Sequence, residues 1–105
     1  GKNAVGYSFV TGFGSKPAMN PHFRLSATDG IDEPIPGWVV GGPNSHLQDQ
    51  RSERNPTGVV YLSSEPAKCY MDLVESYASN EIAINWNAPL AYITGFLVSN
   101  SKKGK

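Results

Sequence analysis

The clearest periodic stretch lies near the end of the chain. Leu90, Ile93 and Leu97 recur at spacings of three and four, so they share one face of a helix predicted over residues 87–98. Asn87 can cap that helix, and Pro89 then falls in its first turn, where a missing N–H costs little. A second solution starts the helix near Ile82 and kinks it at Pro89, because Ile82 and Trp86 extend the same stripe. Asn100 or Ser101 ends it.

Elsewhere the pattern weakens. Residues 3–10 are mildly apolar and fit the end of a helix, broken by Thr11-Gly12-Phe13-Gly14. From Ser15 to Thr57 neither a helical nor a strand period is sustained. Punctuation dominates instead: Lys16-Pro17, Asn20-Pro21, Asp29-Gly30, Glu33-Pro34, Pro36-Gly37, Gly41-Gly42-Pro43 and Asn55-Pro56. Trp38-Val39-Val40 fits a short strand or a buried loop segment, and residues 50–54 read as an exposed loop tip. Val59-Val60-Tyr61-Leu62 is a short apolar run. Ser64-Glu65-Pro66 reads as the start of a short helix, with Ser64 as its cap.

A structureless stretch of about 40 residues is uncommon inside a compact domain. This one does not look disordered, because it carries Phe23, Leu25, Ile31, Ile35, Trp38, Val39 and Val40. One good helix cannot cover them all. The expectation is that these loops pack on a larger body outside this sequence.

Charge and composition narrow the classes. The 105 residues carry nine basic and nine acidic side chains, so the basic excess of a small nucleic-acid binder is missing. The cluster Lys102-Lys103-Gly104-Lys105 reads as a solvated end or linker remnant. The single cysteine, Cys69, excludes an internal disulfide and a Cys-based zinc site, and reads as a packed small hydrophobe. No stretch approaches the ~20 apolar residues of a membrane span. The start Gly1-Lys2-Asn3-Ala4 lacks Met and a signal-peptide core, and fits a cut end.

Four groups of residues could carry chemistry. In His22-Phe23-Arg24, extended alternation would put His22 and Arg24 on one side, offering a neutral ring and a fork of donors. Read alone, the pair fits a structural or surface role as well. Asp72 and Glu81 are two carboxylates near Tyr70, Tyr77 and Trp86, and Glu81 precedes Ile82-Ala83-Ile84. They read either as ordinary surface charges or as a site in which apolar burial raises the pKa of a general acid. Trp86 is either core or a stacking platform for a sugar ring, and Trp38 is core or loop packing. His46 has no partner at metal-ligand spacing, and Asp29, Asp32 and Glu33 lack the pattern of a calcium loop. Asp49, in an Asn/Gln-rich loop, is the one candidate for a calcium ligand.

Two spaced motifs then carry a resemblance. The first is Ser8-Phe9-Val10-Thr11-Gly12-Phe13-Gly14-Ser15-Lys16 running through Asn20-Pro21-His22-Phe23-Arg24. The second is Tyr70-Met71-Asp72, Tyr77, Asn80-Glu81-Ile82-Ala83 and Asn85-Trp86-Asn87-Ala88-Pro89. With Pro36 to Asn44 between them, they resemble the C-terminal part of the catalytic domain of glycoside hydrolase family nine, the inverting cellulases, over about residues 3–97.

The resemblance implies an all-α fold, an (α/α)6 barrel of six inner and six outer helices. This chain would supply the last barrel helix and active-site loops, with residues 1–99 in the domain and 100–105 as a tail. It implies a secreted endo-β-1,4-glucanase that cleaves with inversion, or an exo-acting enzyme on glucose- or glucosamine-based oligomers. A non-catalytic carbohydrate-binding module stays open as the other class. Glu81 matches the general acid, and Asp72 matches the other motif carboxylate, an organiser of the site. His22 and Arg24 match the substrate-contacting pair, His22 being counted with the catalytic group. Trp86 falls at an aromatic position lining the cleft. No metal or cofactor is required of these residues, though calcium is possible in the full domain. Phe23 stands where many members have a second His. The family's catalytic base lies in an Asp-Ala-Gly-Asp-like motif, for which Asp29-Gly30-Ile31-Asp32 is no match. The base is therefore expected from an N-terminal companion segment outside this sequence.

Overall fold

The computed structural model describes residues 3–101. Three α-helices and one 3-10 turn appear in chain order: α1 Arg24–Ala27, the 3-10 turn Pro66–Lys68, α2 Tyr77–Asn80 and α3 Ile84–Ser101. The chain is a loop-rich, helical piece. Its loops are tied by isolated β-bridges, among them Ser8 with Pro17, Val10 with Val39, His22 with Glu81, and Val40 with Ile82.

Those bridges replace the helix end expected over residues 3–10. Asn3 organises a turn there, its side-chain oxygen accepting the N–H groups of Val5 and Gly6. The backbone then pairs outward, with Ser8 N–H donating to the Lys16 carbonyl at 2.7 Å and Val40 N–H to the Phe9 carbonyl at 3.0 Å. Trp38-Val39-Val40 is the expected extended segment, paired on both sides.

The core is small because the extended segments bring together only a few apolar side chains. Ala18, Val40 and Tyr70 are buried, with Val5, Tyr7, Phe9 and Ile82 packed around them. Tyr70 meets Tyr7 and Phe9 edge-on, at ring separations of 5.1 and 5.0 Å. Phe23 meets Trp38 in the same way at 4.6 Å. Cys69 is buried, its thiol facing the Glu65 and Ser63 carbonyls, as a packed hydrophobe should be. Other apolar side chains of the long loop-rich stretch lie open: Leu25, in α1, is 74% exposed and Ile31 63%.

Helix α3 begins earlier than Asn87 and runs through Ser101, close to the solution that starts near Ile82. Pro89 therefore sits inside the helix rather than in its first turn. Asn87 is not the cap. Its side chain instead grips Val39, accepting that residue's N–H at 2.9 Å and donating to its carbonyl at 3.0 Å. An 18-residue helix is about 27 Å long, and α3 buries none of its residues. The radius of gyration is accordingly 15.4 Å, against about 13 Å for a compact chain near this length. The short helix after Ser64 is the 3-10 turn, preceded by Glu65 and without a side-chain cap. The sequence pattern does not announce α1 or α2, each of four residues. The Lys102–Lys105 tail and the first two residues lie outside the described residues.

Candidate active site

Asn80, fully buried at the end of α2, is the hub of the site. Its carbonyl accepts His22 N–H at 2.7 Å. Its side-chain oxygen accepts the Tyr70 hydroxyl at 2.6 Å. Its amide nitrogen donates to the Asn20 carbonyl at 2.5 Å and to Asp72 Oδ1 at 3.1 Å. Burial, and then the charge of Asp72, push the Tyr70 phenol well above the usual tyrosine range, so it stays a donor.

Asp72 closes the same clasp from the other side. Its two oxygens accept the N–H groups of Met19 and Asn20, each at 2.8 Å. A carboxylate holding two successive backbone donors fixes the direction of the chain that follows. That chain is Asn20-Pro21-His22, so Asp72 and Asn80 together lay His22 alongside Glu81 in a parallel bridge.

The ring of His22 is fixed as well. Its Nδ1 meets the Val74 carbonyl. A carbonyl only accepts, so Nδ1 carries the proton and Nε2 of the neutral ring is left as an acceptor. The Tyr77 ring stands edge-on to it at 6.3 Å.

Glu81 follows α2 in extended conformation, at φ −71° and ψ 147°. Its side chain is exposed, and among the described residues its carboxylate has no hydrogen-bond partner. The apolar burial expected around Glu81 is thus not supplied by this chain. Arg24 also departs from expectation. The extended segment ends at Phe23, and Arg24 opens α1 as an exposed residue, so simple alternation does not pair it with His22.

Trp86 sits in the first turn of α3, about one-third exposed, with its ring tip on Gly41. A Cβ at Gly41 would lie 3.0 and 3.1 Å from the indole, so any side chain there would push the ring away by a few tenths of an ångström. The platform is neither free nor buried: one edge is seated and the rest is open.

Asp49 is sunk rather than poised for an ion. Its carboxylate accepts the Tyr61 hydroxyl at 2.5 Å, the Ser76 hydroxyl at 2.8 Å and Ala78 N–H at 2.9 Å. Among the described residues no group of three His, Cys, Asp or Glu side chains is placed to hold a metal. Asn80, Asn20 and Asn87 are the residues that functional reasoning from residue types undervalued. Asn80 ties the Tyr70 and Asp72 side chains to the Asn20 carbonyl, Asn20 donates its amide to the Asp72 carbonyl, and Asn87 joins Val39 to Ala83; no periodicity reveals such contacts.

The profile of glycosyl hydrolase family 9 matches residues 1–94. A xyloglucan-specific endo-beta-1,4-glucanase of Bacteroides ovatus is 48% identical over 97 residues, covering 92% of this chain and 15% of its own length. A cellulose 1,4-beta-cellobiosidase of Acetivibrio thermocellus is 40% identical, covering 92% of this chain and 11% of its own. The solved structure of AaCel9A in complex with cellobiose-like isofagomine superposes with a TM-score of 0.74 at 42% identity, over 92% of this chain and 17% of that one. The chain thus spans roughly one-sixth or less of the proteins it matches. With the profile covering all but the last residues, and these relatives agreeing over nearly the whole sequence, the chain belongs to glycosyl hydrolase family 9.

Proposed function

We propose that this chain is the acid-bearing part of an inverting endo-β-1,4-glucanase, with Glu81 as the general acid. The observation that carries the reading is the bridge between His22 and Glu81. It pairs the backbone of Glu81, whose exposed carboxylate has no hydrogen-bond partner among the described residues, with that of His22, whose Nε2 can meet a sugar hydroxyl. Glu81 protonates the leaving glycosidic oxygen. His22 and Arg24 contact the sugar, Trp86 offers it a flat face, and Asp72 holds the His22 segment in place as organiser.

The water attacks from the opposite side of the ring. Its base is a carboxylate about 6.5–9.5 Å away, supplied by a companion segment outside this sequence. That remainder of the domain also covers the apolar loop residues and α3, completes the (α/α)6 barrel, and gives Glu81 the desolvation an acid needs at neutral pH. The complete enzyme acts outside the cell on cellulose-type β-1,4-glucans. No helix among the described residues is long and apolar enough to cross a membrane.

The name of one relative, a cellobiosidase, keeps exo-action as the second reading. The two share this site and differ in the loops that close the cleft ends. A match of the family profile over residues 1–94 favours a catalytic part over an independent carbohydrate-binding module.

The test uses the complete enzyme carrying this segment, assayed on a cello-oligosaccharide and on an aryl cellobioside with a strongly acidic phenol as leaving group. A poor leaving group needs protonation and a good one does not. Glu81→Gln should lose roughly 10²–10⁴-fold in kcat on the oligosaccharide and far less on the aryl glycoside. Near-normal turnover of the oligosaccharide would remove Glu81 from the role.

A further inference from the structure

The proposed mechanism does not use Asp49, yet it is completely buried and in direct contact with the helix that Glu81 follows. All three of its partners are donors: the Tyr61 hydroxyl, the Ser76 hydroxyl and the Ala78 N–H. Desolvation, reinforced by Asp49, pushes the Tyr61 phenol up to about 12, so that partner remains protonated. A carboxylate only accepts when ionised, which suits this set of donors.

The position of these contacts is informative. Ser76 precedes α2 but makes no side-chain cap of its own. The acceptor for the α2 Ala78 N–H comes instead from Asp49, 29 residues earlier in the chain. Ser76 passes the contact on, its hydroxyl lying 2.5 Å from that of Ser79. Ser79 in turn accepts Met71 N–H at 3.2 Å, next to Asp72. The loop that carries Asp49 is itself pinned, with the Asp49 carbonyl accepting Val59 N–H at 2.9 Å and the Asn55 side chain at 3.2 Å. Gly58 has no room for a Cβ beside that carbonyl, at 2.4 Å. One end of α2 is therefore clamped by Asp49 and the other by Asn80 and Asp72, and Glu81 is the next residue out.

A four-residue helix cannot hold its own shape, because one turn forms too few hydrogen bonds to offset its ordering. Its orientation is set by whatever grips its ends. We propose that Asp49 is a positioning residue for the reaction: as a cap donated from a distant loop, it fixes the rotation of α2 and so aims the Glu81 carboxyl at the glycosidic oxygen. The inference rests on the reading of Glu81 as the acid. It adds a residue that never meets substrate but decides where the proton is delivered.

The same pair of substrates tests it in the complete enzyme, with Glu81→Gln measured alongside. Asp49→Asn keeps the shape but turns an amide N–H₂ towards donors. A misplacement near 1 Å costs about 10²-fold, so kcat on the oligosaccharide should fall roughly 10–100-fold with KM little changed. Turnover of the aryl glycoside, which does not need the proton, should fall only a few-fold. Tyr61→Phe and Ser76→Ala each remove one donor and should show the same selectivity to a smaller degree; they decide the matter if Asp49→Asn fails to fold.

Equal losses on both substrates would mean that Asp49 only supports the fold, and would overturn the proposal. So would unchanged turnover on both. If Glu81→Gln itself shows no dependence on leaving group, the assignment of the acid has failed. If Glu81→Gln is selective and the Asp49 set is not, the acid stands and the positioning role falls.

Discussion

Asn80 and Phe96 lie on consecutive helices and meet opposite fates. Asn80 is fully buried, and its carbonyl and side chain bond His22, Tyr70, Asn20 and Asp72. Phe96 is 59% exposed, on a helix that buries no residue at all. The side-chain hydrogen bonds of the later part of α3 run back into the helix itself, as from Thr94 to Leu90 and from Ser99 to Gly95. The region around Asn80 is thus complete within these residues, while α3 presents apolar groups on several sides. A helix apolar all round belongs inside a larger body. The contrast separates what this segment builds for itself, the clasp behind Glu81, from what it borrows, the cover over α3.

The sharpest way to break that contrast is to charge the helix. Leu97 is exposed here. If the complete domain covers it, Leu97→Asp there buries a carboxylate without a partner, costing about 3–5 kcal/mol or preventing folding. Urea denaturation of the complete domain would show the midpoint shift. An unchanged midpoint would mean that α3 stays at the surface, and the two regions would then differ only in kind of surface.

The next effect lies in the clasp. Asp72→Ala removes the acceptor of two backbone N–H groups and one Asn80 amide hydrogen. Met19 and Asn20 are partly exposed, so water can meet some of the lost demand. The expected cost is about 2 kcal/mol, in the range for a bond to a charged group. It should come with weaker binding of cello-oligosaccharide, as His22 loses its fixed place. A loss below about 0.5 kcal/mol, the level of an ordinary surface change, would show that the clasp holds without Asp72.

Sequence reasoning was strongest where chemistry is local and weakest where it is tertiary. The motif around Asn80 and Glu81 reads directly from residue types and order, and α3 reads from its spacing. Of the two helix starts, the one at Asn87 fails because that residue has the chemistry of a cap but tertiary structure gives it the Val39 backbone instead, while the one near Ile82 lies close to the observed start at Ile84. Arg24 was set beside His22 on the assumption of a continuing strand. α1 begins at that residue, and four residues leave no periodic trace. Asp49 invited a calcium reading because an acid among amides looks like a ligand. Its true partners, Tyr61, Ser76 and Ala78, are too distant in sequence for any spacing rule. The exposed state of Glu81 was hidden for another reason: the apolar residues after it do not fold back over it within this segment.

The smallest expected effect concerns the same buried carboxylate and is read through pH. Tyr61 donates to Asp49, and its phenol is raised from 10.0 to about 12, by burial first and by Asp49 next. Above pH 10 the phenol of an unfolded chain loses its proton while the folded one keeps it. The folded state then binds more protons than the unfolded, so stability falls as pH rises from about 10 to about 12. Below pH 10 that contribution is intact. Tyr61→Phe should cost about 1 kcal/mol at neutral pH, for one hydrogen bond, and should lose less further stability across the alkaline window than the parent. Tyr70, also raised, is present in both proteins and cancels in their difference. Denaturant midpoints of the two complete domains, compared on either side of pH 10, read the effect directly. Parallel curves would mean that the Tyr61 hydroxyl reaches water in the complete domain. The Asp49 end of the clasp would then be looser than the Asn80 end, and α2 would be gripped firmly on one side only.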